Sequence, residues 1–215
     1  MLHANTKILG LIIQLLSAQV DNGITWTYVS RFLLPTLHLF SFGGYLFNGI
    51  AGQHCCSEAL YRSTDSGFTW NPSSEDLSTQ NELYDLTGIG NTLFASGSGW
   101  GLFRTTNLGK AWIRDSALQN VSSPYSFGDR ILILSDSGVL ISFDSGNAWF
   151  KSTIGLPKDL TCISSVGNHL FVGKEGSGLY HSFDSAKSWI SVFNNISDLD
   201  SFPTHMVTYN NTLFV

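Results

Sequence analysis

With 43% hydrophobic side chains, the 215-residue chain has ample material for a packed core, yet only 13% of its residues are charged, about half the share usual for a soluble domain. A net charge of −5 without any basic run excludes the electrostatic footprint of a nucleic-acid binder. Twenty-one glycines, abundant Ser and Thr and 13% aromatics favour short strands joined by tight turns over helices.

The first eighteen residues read as a secretory signal. Lys7 supplies a positive charge, Ile8 to Leu16 form a nine-residue apolar run, and Ser17-Ala18 offers small residues at a cleavage point. Nine residues are too few for a membrane-spanning helix, which needs about 20, so no integral membrane segment is expected. Cleavage would start the mature chain near Gln19, outside the cytoplasm, in a secreted or cell-envelope location of bacterial type. The alternative is that residues 11–18 form a strand of an incomplete first blade.

From residue 19 onward the chain repeats itself. STDSGFTW (63–70), TTNLGKAW (105–112), SFDSGNAW (142–149) and SFDSAKSW (182–189) align, and QVDNGITW (19–26) is a degenerate copy. Five of the six tryptophans (Trp26, Trp70, Trp112, Trp149 and Trp189) close these segments, spaced 44, 42, 37 and 40 residues apart. Upstream of each closing tryptophan, Leu-Phe pairs such as Leu93-Phe94 and segments such as GLF and GLY recur between Gly-, Ser- and Asn-rich turns. Each copy therefore reads as four antiparallel strands with the tryptophan on the fourth, and a period of about 40 residues is that of a β-propeller blade. The expected fold is all-β, with complete blades over residues 38–73, 85–115, 125–153 and 162–193. An isolated outer strand is expected at 24–29, and two inner strands at 205–215. The ring is expected to be open or truncated, and the chain a fragment or a shortened gene model; an unclosed arc with exposed strand edges predicts poor solubility.

The pattern S/T-x-D-x-G-x-x-W resembles the Asp box, or bacterial neuraminidase repeat, of sialidases, xyloglucan-cleaving glycosidases, sortilin-type receptors and photosystem II assembly propellers. In that pattern Asp21, Asp65, Asp144 and Asp184 are expected to accept backbone N–H bonds in the turn, a structural task. Asn107 replaces the Asp in one copy and Ala186 replaces the Gly in another, which questions the turn geometry there. A residue repeated with the turn is explained by the turn, so no catalytic residue is assigned.

The resemblance to propellers puts the functional site on the face opposite these turns. The non-repeating residues there are Glu58, Trp100, Asp136, Lys174 and Glu175, and these are the candidate binding residues. Trp100, the tryptophan outside the repeat, is suited to stack on a sugar ring or on a partner's side chain, and equally to cover a neighbouring blade. Arg62 and Arg104 share one repeat position with Ile141 and His181, which is unlike the converging arginine triad of sialidases. The cluster His54-Cys55-Cys56 lacks the spacing that converges ligands on zinc, and three cysteines (with Cys162) cannot all pair. His38, His169 and His205 are taken as packing or surface residues without partners. No metal or cofactor is expected. The leading reading is a secreted, non-catalytic propeller that binds protein or carbohydrate through blade-tip loops. The alternatives are a fragment of a sialidase- or xyloglucanase-like glycoside hydrolase and a photosystem-assembly or sortilin-like scaffold.

Overall fold

Alternating apolar and polar residues, broken every few positions by left-handed turns, leave the chain few options except short antiparallel hairpins. A computed structural model describes residues 2–5, 14–18, 27–32, 36–50, 60–73, 77, 83–97, 101–175, 178–192 and 203–215. Strands β1 (Leu2–Asn5), β2 (Gln14–Ala18) and β3 (Thr27–Phe32) form a three-stranded sheet in that order. The strand expected alone at 24–29 is therefore the third of three, displaced to Thr27–Phe32, and residues 14–18 are a strand paired with it.

Four sheets of four strands follow, each a plain antiparallel meander. The first contains β4 (Thr36–Phe42), β5 (Tyr45–Ile50), β6 (Leu60–Ser63) and β7 (Asn71–Pro72). The second contains β8 (Leu83–Ile89), β9 (Thr92–Gly97), β10 (Gly101–Thr105) and β11 (Ile113–Asp115). In the third are β12 (Val121–Phe127), β13 (Arg130–Ser135), β14 (Gly138–Ser142) and β15 (Phe150–Ser152), and in the fourth β16 (Leu160–Val166), β17 (His169–Lys174), β18 (Leu179–Ser182) and β19 (Ile190–Ser191). A hairpin of β20 (Val207–Tyr209) and β21 (Thr212–Phe214) completes the described chain. Each four-stranded sheet covers one repeat.

Two details depart from the sequence expectation. Trp70, Trp112, Trp149 and Trp189 each stand immediately before the fourth strand instead of on it, because the eight-residue turn uses them as its last member. Each first strand also carries a register shift near its start, at Thr36/His38, Leu83/Asp85, Ser122/Tyr125 and Leu160/Cys162. An extra residue of this kind bends the strand and increases its twist.

The chain divides into two units, residues 1–119 and 120–215. In the first, Phe47, Leu60, Leu83, Leu93, Phe103 and Trp112 form a buried cluster to which both four-stranded sheets contribute. In the second, Leu132, Val139, Ile163, Val172, Ala186 and Trp189 do the same. Trp112 and Trp189 are buried, whereas Trp70 and Trp149 are half-buried. Among the described residues, no helix is long and apolar enough to cross a membrane.

Candidate functional site

The repeated turn is built from side-chain acceptors. Ser63 donates its hydroxyl to Asp65 Oδ1 (2.7 Å) and accepts the Gly67 N–H (2.8 Å), while Thr69 donates its N–H to Oδ1 (2.8 Å) and its hydroxyl to Oδ2 (2.6 Å) of Asp65. Asp184 is held in the same way by Ser182, by the Lys187 and Ser188 N–H groups, and by the Ser188 hydroxyl at 2.6 Å. These donors stabilise the ionised form, so hydrogen bonds from Thr69 first, and from Ser188 first, hold Asp65 and Asp184 at about 2. Asp144 is lowered as well, chiefly by the Ala148 N–H.

Substituted copies keep the geometry. Asn107 Oδ1 accepts from the Thr105 hydroxyl (2.8 Å) and the Ala111 N–H (3.0 Å), so an amide carbonyl replaces the carboxylate atom for atom. Ala186 holds φ at +67° and donates its N–H to Ser182 Oγ at 2.9 Å. The turn is thus intact without its glycine, at the cost of a left-handed alanine.

At the end of the second unit that carries these turns lie two clefts, of about 440 and 660 Å³. Phe143, Phe150, Lys151 and Lys187 line the first, and Phe127, Asp129 and Phe183 line the second. Arg130 borders both. Its guanidinium carbon sits 5.1 Å from the Phe143 ring centroid, and its Nε lies 3.3 Å from Asp129 Oδ1. Phe143 and Phe150 meet edge to face at 5.8 Å. These rings remain in water: Phe143 is 54%, Phe150 58% and Phe183 61% exposed. Phe150 follows Trp149 at the start of β15, so the strand's alternation turns it outward. Exposed aromatics beside Arg130 make this cleft the candidate site.

Sequence reasoning missed this site, although one comparison within the chain would have found it. The second turn position is Thr64 and Thr106 in the first two copies but Phe143 and Phe183 in the last two. Of the residues singled out from sequence, Glu58, Trp100, Asp21, Trp26 and the His54-Cys55-Cys56 cluster lie outside the described residues. Asp136 is exposed and accepts from Asn120 Nδ2 at 3.2 Å. The Lys174 ammonium bonds the Glu175 carbonyl, and the Glu175 N–H bonds the Asp159 carbonyl at 2.9 Å. Asp136 therefore sits apart from the Lys174-Glu175 pair in its bonding, and none of the three lines either cleft. Cys162 is buried, its thiol raised by desolvation and directed at the Pro203 carbonyl 3.2 Å away, which is the environment of an inert cysteine. Among the described residues, no group of three or more His, Cys, Asp or Glu side chains converges to hold a metal.

No protein-family model matches the chain, and no curated protein matches it. Solved structures do. The chain is similar to YCF48 from Cyanidioschyzon merolae, at 14% identity and a TM-score of 0.58, over 84% of this chain and 66% of that one. It is also similar to YCF48 bound to D1 peptide, at 16% identity and a TM-score of 0.62, over 85% and 63%. A third similarity is to the GH74 enzyme of Niastella koreensis, at 19% identity and a TM-score of 0.56, over 90% of this chain but 30% of the enzyme. All are β-propellers, and the fold of this chain is a β-propeller of four-stranded antiparallel blades. The chain spans about two thirds of the length of the YCF48 chains and less than a third of the enzyme.

Proposed function

We propose that this chain is an Asp-box propeller module that acts as a non-catalytic scaffold for a protein partner outside the cytoplasm. The observation that carries the reading is the cleft in which Phe143 and Phe150, both more than half exposed, stand beside Arg130, Lys151 and Lys187. Aromatic anchors ringed by cations suit a partner segment bearing apolar and acidic side chains. A propeller of similar fold holds a peptide, which supports a protein partner over a carbohydrate one.

The rival reading, a glycoside hydrolase fragment, rests on the similarity to GH74 enzymes. A glycosidase needs one carboxyl with a raised pKa as general acid. In this chain, the described carboxyls that depart from the ordinary value are all lowered: Asp65, Asp144 and Asp184.

Peptide-library selection on the full chain, counter-screened on a Phe143→Ser/Phe150→Ser double variant, tests the reading. Peptides that enrich on the native protein and lose the variant support it. Binders indifferent to the substitution, or release of reducing sugar from xyloglucan, overturn it. Export is tested separately by N-terminal sequencing from a secreting host: a start near Gln19 supports the signal, and retention of residues 1–18 overturns it.

A further inference from the structure

His169 and His181 face each other across adjacent antiparallel strands, β17 and β18. His169 Nδ1 lies 3.1 Å from His181 Nε2. The Phe171 ring stacks on His181 at 4.3 Å and 12°, and Phe183 packs against both imidazoles at 3.7 and 5.3 Å. His181 is 8% exposed, whereas His169 is exposed to solvent. His169 is thus a surface residue as expected, but not one without a partner: it is one half of a histidine pair.

We propose that this pair is a two-imidazole site for a divalent transition metal of borderline softness, with Cu²⁺ favoured over Ni²⁺ and Zn²⁺. Imidazole nitrogens bind such ions at about 2.0–2.1 Å. If rotation of the exposed His169 ring turns both lone pairs onto the metal while the nitrogens stay about 3.1 Å apart, they subtend an angle of about 98° at it, between the square-planar and tetrahedral values. Both nitrogens must be unprotonated to bind. His181 is held by its ring contacts with Phe171 and Phe183. Without metal, one of the two nitrogens donates its N–H to the other; on binding, that ring changes tautomer, its proton moving by way of solvent to its other nitrogen, so both rings stay neutral and no net proton is released. His181, fixed by stacking, sets the position of the site, and exposed His169 supplies both the ring rotation and the access. The other coordination positions are open to water or to an exogenous ligand. The ordering of metals follows the general rise of affinity to Cu²⁺ for nitrogen donors.

The site is independent of the Phe143–Phe150 cleft, so its test does not share the outcome of the peptide selection. The full chain, carrying no polyhistidine tag, is titrated with Cu²⁺ by calorimetry and followed by electron paramagnetic resonance. One equivalent is expected to bind with nitrogen hyperfine structure from two imidazoles. His169→Ala should lose about tenfold or more in affinity, the scale on which even outer-shell partners of a metal ligand act. His181→Phe, which keeps a ring between Phe171 and Phe183, should lose as much while melting normally. Equal Cu²⁺ affinity in native protein and His169→Ala, or a spectrum with fewer than two nitrogens, overturns the proposal.

Discussion

Between the β4–β7 and β8–β11 sheets, Ser73 donates its hydroxyl to the Gly109 carbonyl at 2.7 Å, and the indole N–H of Trp112 donates to the backbone carbonyl of Ser73 at 2.7 Å. Between the β12–β15 and β16–β19 sheets, Ser152 takes the same place. Its hydroxyl donates to the Ala186 carbonyl, but here the Trp189 indole donates to the hydroxyl itself, at 3.0 Å. Both serines stand three residues after the tryptophan of the preceding blade. The two seams also differ at this place by one methyl group. A Cβ on Gly109 would lie 2.4 Å from Ser73 Oγ and 3.0 Å from Phe47 Cε1, so the hydroxyl occupies space that the glycine leaves open. Ala186 instead carries a methyl there and is fully buried. In the first seam these two bonds are divided between a hydroxyl and a backbone carbonyl, and in the second a single hydroxyl makes both.

The largest effect that would break this account is at the methyl. Gly109→Ala should cost about 3 kcal/mol, from overpacking against Ser73 and Phe47 and from a left-handed non-glycine residue. The reverse change, Ala186→Gly, loses a buried methyl but relieves the left-handed strain, and should fall within about 1 kcal/mol of neutral. Urea unfolding of both variants measures the contrast. Equal losses would mean that the two seams do not differ at this position.

A smaller effect sharpens the same comparison. Ser152→Ala leaves both the buried Trp189 N–H and the Ala186 carbonyl without their partner, at a cost of about 2 kcal/mol. Ser73→Ala removes only the hydroxyl, because Trp112 keeps the backbone carbonyl, and should cost about 1 kcal/mol. If the serine in the first unit proved the more costly, the reading of one shared hydroxyl in the second would be wrong.

These seams mark the limit of what the sequence discloses. The spacing of Trp70, Trp112, Trp149 and Trp189 gave four sheets with bounds within a few residues of those observed, since a pattern repeated at one period is insensitive to local ambiguity. The role of Ser73 and Ser152 was hidden, because it depends on which atom of the next blade arrives opposite, a matter of packing between sheets instead of order along the chain. Ala186 looked like a defect in its turn; the Ser182 hydroxyl and Asp184 carboxylate supply enough hydrogen bonds to hold it left-handed. The cleft was partly legible, in the change from Thr64 and Thr106 to Phe143 and Phe183, but attention to residues outside the repeat passed over variation within it. The histidine pair was not legible at all, because twelve residues separate its members and only the β17–β18 register brings them together.

The smallest expected effect concerns acid. Among the described turns the first unit has one ionised acceptor, Asp65, and one neutral one, Asn107, whereas the second has two ionised ones, Asp144 and Asp184. Asp65 and Asp184 are held at about 2 against an ordinary value of 3.8, and Asp144 is shifted the same way. A carboxyl depressed by folding contributes its full stability above the unfolded pKa, and that contribution vanishes as pH falls through the folded one. The Tm should therefore drop between about pH 4 and pH 2, modestly, because these groups are exposed and water screens them. Asp184→Asn should flatten that dependence, since the amide accepts without titrating, as Asn107 does. Asn107→Asp should steepen it by giving the first unit a second titrating turn. An unchanged pH dependence of Tm in Asn107→Asp would show that carboxylate and amide are not equivalent acceptors in this turn, and that the Asn107 copy is held by something other than its side-chain oxygen.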